Sequence, residues 1–539
     1  MNAYLLYPQR DWTNAGRYKD DRTIIQDLGL KTLFSAAAKE IEMEGGKIIK
    51  IQEADPFIEE TMKKVMMVPL ETEEEIRYRQ EIIRDCYAEE EFIRGLYERS
   101  EQILKEWDKL GRKVSGRIGA GSVRSLVTDV HVLQLFVDSL RQLKEWFSKY
   151  KGKLRSRGFL ALEERLHAEV SDEQQANLEQ ILRDVAFFAN QQEHEEYEFR
   201  RMVNKPRIVL GCRIGDGLKP GFFQLESVTT QVKKYRSSNS VLERARDYIN
   251  TLTTPSFSVR RGEALAEQVD QLEYQFVRYI ISCCEPLFDS LNSFFDQLHF
   301  QTAFYRGAVN LRAYMERFRI QVCFPRVCGH RDLQFAGLKE FVMAIEQKVE
   351  PVGNACDILD RNLLIITGAN QGGKSTFLRS IGIAQIMMQC GLPVPAESYE
   401  SGIFPSFFTH FTRREDSEMN SGRLNEELKR MSQIVDQLEG DSLILLNESF
   451  ASTTEKEGSA IAYDIIRALT ESGVKILTVT HLLSFAQRIY EESGSNPDSK
   501  VEFLSAQRME DGRRTFKMIP HAPELTSFGL DLYDEIISC

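Results

Sequence analysis

No apolar run in this sequence is long enough to cross a bilayer. Its longest apolar stretches, such as Leu363–Thr367 and residues 442–446, are strand-length and fall far short of the about 20 residues a spanning helix needs. Insertion in a membrane by a helix is therefore not expected. Proline is scarce, at 15 of 539 residues, and neither a low-complexity tract nor an internal repeat is visible, which excludes collagen-like, disordered and solenoid classes. Cysteine is sparse and odd in number, nine scattered along the chain. That pattern excludes a disulfide framework and fits a reducing compartment. Arg10 and Asp11 follow only a few apolar residues, so neither a signal-peptide core nor an Arg-rich transit helix can be drawn, and a cytoplasmic location is expected.

Positive charge is also in deficit. The formal net charge of −12 by itself disfavours a polyanionic partner. The charge is uneven, however: residues 200–261 carry 13 Lys/Arg against 4 Asp/Glu, a local +9, which leaves the rest near −21. One segment of an acidic protein is thus electropositive. What the chain does have is length and apolar content, 539 residues of which 42% are hydrophobic and 28% charged. At roughly 100–200 residues per domain this suggests three or four domains.

Residues 72–110 read as one long amphipathic helix, with Ile76, Ile83, Tyr87, Phe92, Leu96, Ile103 and Trp107 at helical spacings among Glu, Arg and Lys. A glycine-rich basic loop is expected over 111–121, because its glycines are in the wrong order for a dinucleotide fingerprint and no strand precedes them. Helical patterning resumes over 126–149 and 173–200. Short β-like runs, 207–212 and 221–225, then mark the basic segment as a small insert. Helical periodicity returns from about 263 to 318. Beyond it, apolar β-type runs alternate with helical ones (363–367, 376–389, 442–446, 458–471, 475–480), the grammar of a mainly parallel α/β sheet.

The sharpest chemical signal is Gly368-Ala-Asn-Gln-Gly-Gly373-Lys374-Ser375, the G-x-x-x-x-G-K-[ST] phosphate loop between a strand and a helix. Its glycines let backbone N–H groups and the helix N-terminus face phosphates. Lys374 should reach the β/γ-phosphates of ATP, and the Ser375 hydroxyl should ligate Mg²⁺. Some 70 residues on, the run 442–446 ends at Asn447-Glu448. In phosphate-loop enzymes such a strand normally ends in Asp, which holds a Mg²⁺-bound water, followed in ABC-type ATPases by a Glu that polarises the attacking water. Asn447 keeps an acceptor oxygen but lacks the charge, so weaker Mg²⁺ affinity is expected while Glu448 remains available as base. The run 475–480 ends at His481, placed to sense a γ-phosphate. Cys323, Cys328 and His330 match no common zinc spacing and are expected to be structural or incidental.

These motifs together resemble the MutS family of DNA mismatch repair ATPases. The run Leu364-Ile-Ile-Thr-Gly-Ala-Asn-Gln-Gly-Gly-Lys-Ser-Thr376 is similar to the family's Thr-Gly-Pro-Asn-Met-Gly-Gly-Lys-Ser-Thr, with Asn370 and Thr376 going beyond the generic loop. Asn447-Glu-Ser-Phe-Ala-Ser-Thr-Thr-Glu-Lys-Glu-Gly458 resembles its Asp-Glu-Ile-Gly-Arg-Gly-Thr-Ser-Thr-x-Asp-Gly, and Thr480-His481 its Thr-His. Pro69-Leu70, Ile76 and Arg79-Gln80 look like the start of its lever-helix domain, and Thr526-Ser-Phe-Gly-Leu530 like its closing Ser-Tyr-Gly-Leu. The resemblance implies an ABC-class ATPase using ATP and Mg²⁺. It also implies a homodimer, each nucleotide being closed over by a signature segment of the second copy. In this chain that segment would be 416–428, with Ser421 the signature serine. Gly368, Asn370, Gly372, Gly373, Lys374, Ser375, Thr376 and Ser421 are then the nucleotide contacts, Ser375 and Asn447 the metal-side residues, and Glu448, His481 and Lys374 the catalytic groups.

The departures are equally informative. Only about 60 residues precede the lever helices, so the family's mismatch-reading and connector domains are not expected. Phe57-Ile-Glu59 matches the letters of its Phe-x-Glu wedge by chance. Nor is an Smr extension expected after Cys539. The resulting expectation is an α/β plus all-α protein: an N-terminal segment (1–60), helical lever (61–199), basic clamp-like insert (200–261), returning lever helices (262–320) and ABC-class ATPase domain (321–539). Its expected function is to couple ATP turnover to a hold on DNA or another nucleic acid without mismatch reading. Two rivals stand beside it: a nucleotide-regulated protein- or ribonucleoprotein-binding ATPase, favoured by the overall acidity, and a pseudo-ATPase switch, favoured by Asn447.

Overall fold

The computed structural model of the chain describes residues 3–8, 16–44, 47–114, 123–169, 207–214, 220–229, 263–329, 332–412, 422–496, 499–509 and 513–523. They fall into two compact units, a smaller one within 98–149 and 163–297 and a larger one comprising 3–97, 150–162 and the chain from 298 onward. Antiparallel strand pairs occur in both: β1 (Ile41–Glu44) with β2 (Lys47–Ile51) in the larger unit, β3 (Arg207–Ile214) with β4 (Pro220–Thr229) in the smaller. The expected short β-runs of the basic segment are thus present and longer than their patterns suggested, and the remainder of 200–261 lies outside the described residues.

Two sheets organise the larger unit. Strands β5 (Arg326–Val327), β6 (Leu333–Leu338), β7 (Asn354–Asp357) and β9 (Ser398–Ser401) form a small sheet in the order β5-β9-β6-β7. The main sheet contains β8 (Leu363–Thr367), β10 (Phe407–Phe411), β11 (Leu443–Asn447), β12 (Lys475–Val479), β13 (Val501–Arg508) and β14 (Arg514–Pro520), in the order β10-β11-β12-β8-β13-β14. All neighbours pair parallel except β13 with β14. Every residue of β8, β10 and β12 is buried, as expected of parallel strands covered on both faces. Ile434, Ala462, Ile466, Phe485 and Ile489, from helices Arg423–Val435, Glu455–Glu471 and Leu483–Gly494, share one core with Ile365, Ile444 and Ile476 of the sheet. Helix Lys374–Gln389 packs against β11 and β12. The expected mixed α/β architecture is therefore present.

Residues 4–7 are built into this unit. Gln301 Oε1 accepts Leu6 N–H at 3.0 Å, and Tyr78 Oη donates to Tyr4 O at 2.6 Å. Arg79, 1% exposed, donates from Nε to Leu6 O (2.8 Å) and from NH1 to Cys390 O (3.1 Å) while lying over the rings of Tyr7 and Phe304.

Two helical expectations are corrected. The single helix over 72–110 is two, Glu73–Ala88 and Glu90–Val114, broken at Glu89 (φ −128°, ψ 68°). The break lies beside a long-range contact that periodicity cannot show: the Asp85 carboxylate accepts the backbone N–H groups of Arg155 and Ser156 at 2.9 and 2.7 Å. The expected loop does not begin at Gly111, because the helix runs on to Val114; a glycine inside a helix costs only about 1 kcal/mol against alanine. Residues 115–122 lie outside the described ones.

In the smaller unit the helical segments are joined by aromatic contacts. Trp107, Phe136 and Phe295 form a chain with ring centroids 5.5 Å apart at each step, and Arg99 lies 3.8 Å from the Trp146 ring centroid.

Candidate nucleotide-binding site

Strand β8 sits between β12 and β13, neither adjacent to it in sequence. The sheet thus opens a crevice at the carboxyl end of β8, where ligands of parallel α/β sheets bind. The phosphate loop fills that position. Gly368 has φ 105°, and a Cβ there would lie 2.8 Å from Ser505 Oγ and 2.9 Å from Ala506 N, so the loop can seat on β13 only with glycine. Gly373, at φ 90°, is the N-cap of helix Lys374–Gln389 and supplies no side-chain cap. The first N–H groups of that helix are consequently available to an anion.

Lys374 is 4% exposed and donates from Nζ to Gly368 O and Ala369 O, both at 2.8 Å. The Ser375 hydroxyl donates to Asn447 Oδ1 at 2.7 Å, which brings these two residues together. Glu448 follows in a left-handed conformation (φ 56°), and Phe450 repeats it (φ 65°); such non-glycine residues cost of order 1–3 kcal/mol each. The Glu448 carboxylate lies 3.0 Å from His481 Nε2. That hydrogen bond, with smaller help from the charge of Lys374, holds the Glu448 carboxyl below the usual carboxylate range. An ionised Glu448 at neutral pH is what a general base requires.

These groups border one cavity of about 460 Å³, lined by the loop residues 370–373, Lys374, Ser375 and Thr376, and by Glu448 and His481. The rest of its lining mixes polar residues, Glu340, Gln347, Glu350 and Asn354 among them, with apolar ones. Val349, Val352 and Phe516 line the cavity and are themselves 46%, 39% and 46% exposed. Arg514 NH1 donates to the Gln371 side chain at 2.9 Å. Of the residues singled out in the sequence, Gly368, Asn370, Gly372, Gly373, Lys374, Ser375, Thr376, Asn447, Glu448 and His481 come together here; Ser421 lies outside the described residues.

Sequence reasoning missed Val349, Val352, Phe516 and Arg514, which no motif flags because they reach the loop from separate strands and turns. It also missed Glu427 and His410, buried behind the Glu448 turn.

Two family models match the chain, MutS2 N-terminal domain over residues 71–318 and MutS domain V over residues 364–533. The second match contains the phosphate loop, Asn447-Glu448 and His481. Both are models of MutS domains, and together they match most of the chain. Among curated MutS relatives it is 38% identical over 135 residues to MutS protein homolog 4 of Mus musculus, covering 25% of this chain and 14% of that protein. It is 35% identical over 124 residues to Endonuclease MutS2 of Streptococcus sanguinis, covering 23% and 16%. With DNA mismatch repair protein MSH3 of Scheffersomyces stipitis it shares 24% over 270 residues, covering 48% and 26%. The chain thus spans about a quarter or less of the length of these relatives. Among the described residues, no helix is long and apolar enough to cross a membrane.

Proposed function

We propose that this chain is an ATPase that binds ATP on the β8 loop and acts in DNA repair or recombination. The observation that carries this reading is the convergence of Lys374, Ser375, Glu448 and His481 on one cavity, with Ser375 bonded to Asn447 and Glu448 paired with His481. Lys374 would leave its two loop carbonyls for the β/γ-phosphates, the helix N-terminus would hold the phosphate oxygens, and the apolar side chains of Val349, Val352 and Phe516 would take the base. Glu448 would accept a proton from the attacking water while His481 holds the carboxylate in place and contacts the γ-phosphate.

Ser375 Oγ and Asn447 Oδ1 are hard oxygen donors and fit Mg²⁺, which keeps several waters and binds through few protein oxygens. When bound, Mg²⁺ supplies charge neutralisation on the phosphates. Because Asn447 is neutral, its hold on that ion is weaker than an aspartate's, and this supports a second reading in which the chain holds ATP as a slow switch.

The finer reading is that two copies close over the nucleotides, each supplying the segment around Ser421 to the other. Helices Glu90–Val114 and Glu263–Arg317 carry residues of both units. Through them, nucleotide-driven movement would reach the basic segment 200–261, which would hold nucleic acid without reading mismatches. Calorimetry on Lys374→Ala tests the core of this: ATP binding is expected to vanish, and undiminished affinity would refute the phosphate-loop reading. For the clamp, binding to duplex DNA should fall with log salt at a slope of about −0.9 per phosphate neutralised. Lys233, Lys234 and Arg236 changed together to Glu should flatten that slope and leave ATP binding intact. A parent protein with no salt-sensitive binding would instead favour a protein partner.

A further inference from the structure

Glu427 is a buried carboxylate that the reading above does not use. It lies in helix Arg423–Val435, is 7% exposed, and accepts the Phe450 N–H at 2.9 Å. A carboxylate in that position is tolerable only where it is hydrogen-bonded, and its acceptor role falls on the turn that carries Glu448. That turn is left-handed at Glu448 and again at Phe450, a conformation that persists only when its surroundings over-determine it. The surroundings here are specific. His410, fully buried, lies 2.7 Å through Nδ1 from Ser449 Oγ and 3.2 Å through Nε2 from the backbone oxygen of Glu427. Ser449 Oγ in turn donates to His410 O at 2.8 Å, and Thr412 Oγ1 to Glu448 O at 2.7 Å. Two of the links that hold the turn therefore end on a single residue of a single helix.

We propose that Glu427 is a positioning residue that couples helix Arg423–Val435 to Glu448. By holding the Phe450 amide it keeps the turn left-handed and the Glu448 carboxylate aimed at His481 and the cavity. The proposal rests on the nucleotide reading above and deepens it. The helix starts one residue after Gly422, within the segment 416–428 assigned to the second copy's nucleotide. A shift at its N-terminus reaches Glu448 through the Glu427–Phe450 and His410–Ser449 bonds without deforming the sheet. Movement at one nucleotide site is thereby reported to the other.

Hydrogen exchange by mass spectrometry on the full chain, with and without ATP, tests this in the parent, Glu427→Ala and Glu427→Gln. It needs no turnover. In the parent, ATP should slow exchange both in the turn (446–452) and at the start of the helix (422–430). In Glu427→Ala the turn should exchange at least fivefold faster, and ATP should protect the phosphate loop without protecting the helix start. Glu427→Gln keeps an acceptor oxygen for Phe450 N–H and should stay within threefold of the parent. Where turnover is measured, Glu427→Ala should lower kcat at least tenfold with KM within threefold, and Glu427→Gln should restore it.

Equal protection of both segments in Glu427→Ala and parent overturns the positioning role, as does a Glu427→Gln variant as impaired as Glu427→Ala. If Glu427→Ala does not fold, Glu427→Asp, whose shorter side chain draws the carboxylate away from the Phe450 amide, takes its place, and unchanged exchange of the turn in that variant overturns the proposal. A parent chain that binds no ATP overturns the nucleotide reading and this proposal with it. ATP binding with unaltered coupling in every variant overturns only the role of Glu427.

Discussion

The two ends of helix Lys374–Gln389 are treated in opposite ways. At the N-terminus Gly373 provides no side-chain cap, and the N–H groups beside Lys374 and Ser375 face a cavity. At the C-terminus the carbonyls are claimed by the protein itself: Gln389 O accepts Leu70 N–H at 2.7 Å and Cys390 O accepts Arg79 NH1 at 3.1 Å. Each end carries backbone groups with no intrahelical partner, N–H donors at the start and C=O acceptors at the finish, and the guanidinium at the negative end also complements the helix dipole. The end left open is the one that can gain free energy from a ligand, whereas the end that is closed anchors the helix to Glu73–Ala88.

Breaking the anchored end should have the largest effect on folding. Arg79→Ala removes a buried side chain with two carbonyl partners and two aromatic neighbours, and is expected to cost about 3–4 kcal/mol in urea unfolding. A loss below about 1 kcal/mol would show that the C-terminal carbonyls find other partners. At the open end, Glu448→Gln should leave stability within about 1 kcal/mol and reduce turnover by about 10²-fold or more, with ATP still bound. Unchanged turnover would remove Glu448 from the role of base.

Smaller effects sharpen the comparison. Asn447→Asp adds a charged acceptor beside Ser375 and should tighten Mg²⁺-dependent nucleotide binding in calorimetry by about tenfold, the size of effect that partners of metal ligands typically have; no change would mean that Asn447 has no part in holding the metal. The smallest concerns pH. Glu448 has a depressed folded-state pKa, so the stability from its bond to His481 is present in full above the ordinary carboxylate range and is lost as pH falls through the depressed value. Thermal melts of the parent and Glu448→Gln should differ most near neutrality and converge in acid. A difference that grows on acidification would contradict the direction of the shift.

Much of the larger unit was legible because its signals are contiguous. β8 and β11 each hold four consecutive apolar residues and β12 is mostly apolar, and the loop between β8 and its helix is one unbroken motif whose glycines have no substitute at φ 105° and 90°. The anchored end was legible only as letters: Arg79-Gln80 could be matched to a family pattern, but nothing local says that Arg79 crosses to Leu6 and Cys390. The break at Glu89 was invisible for the same reason, since periodicity continues through it while Asp85 turns to a segment 70 residues away.

Sequence alone therefore determined β8, β11 and β12 with the helices that follow β8 and β11, the phosphate loop with its lysine and serine, and the polar pair Asn447-Glu448 at the end of β11, because each depends on neighbours along the chain. Tertiary structure alone decided which wall faces the loop, that Glu448 pairs with His481, and that Glu427 and His410 hold the strained turn between them. The physical reason is that a hydrogen bond or a buried charge is settled by whichever group lies within about 3 Å, and in a crossed parallel sheet that group comes from a distant part of the chain.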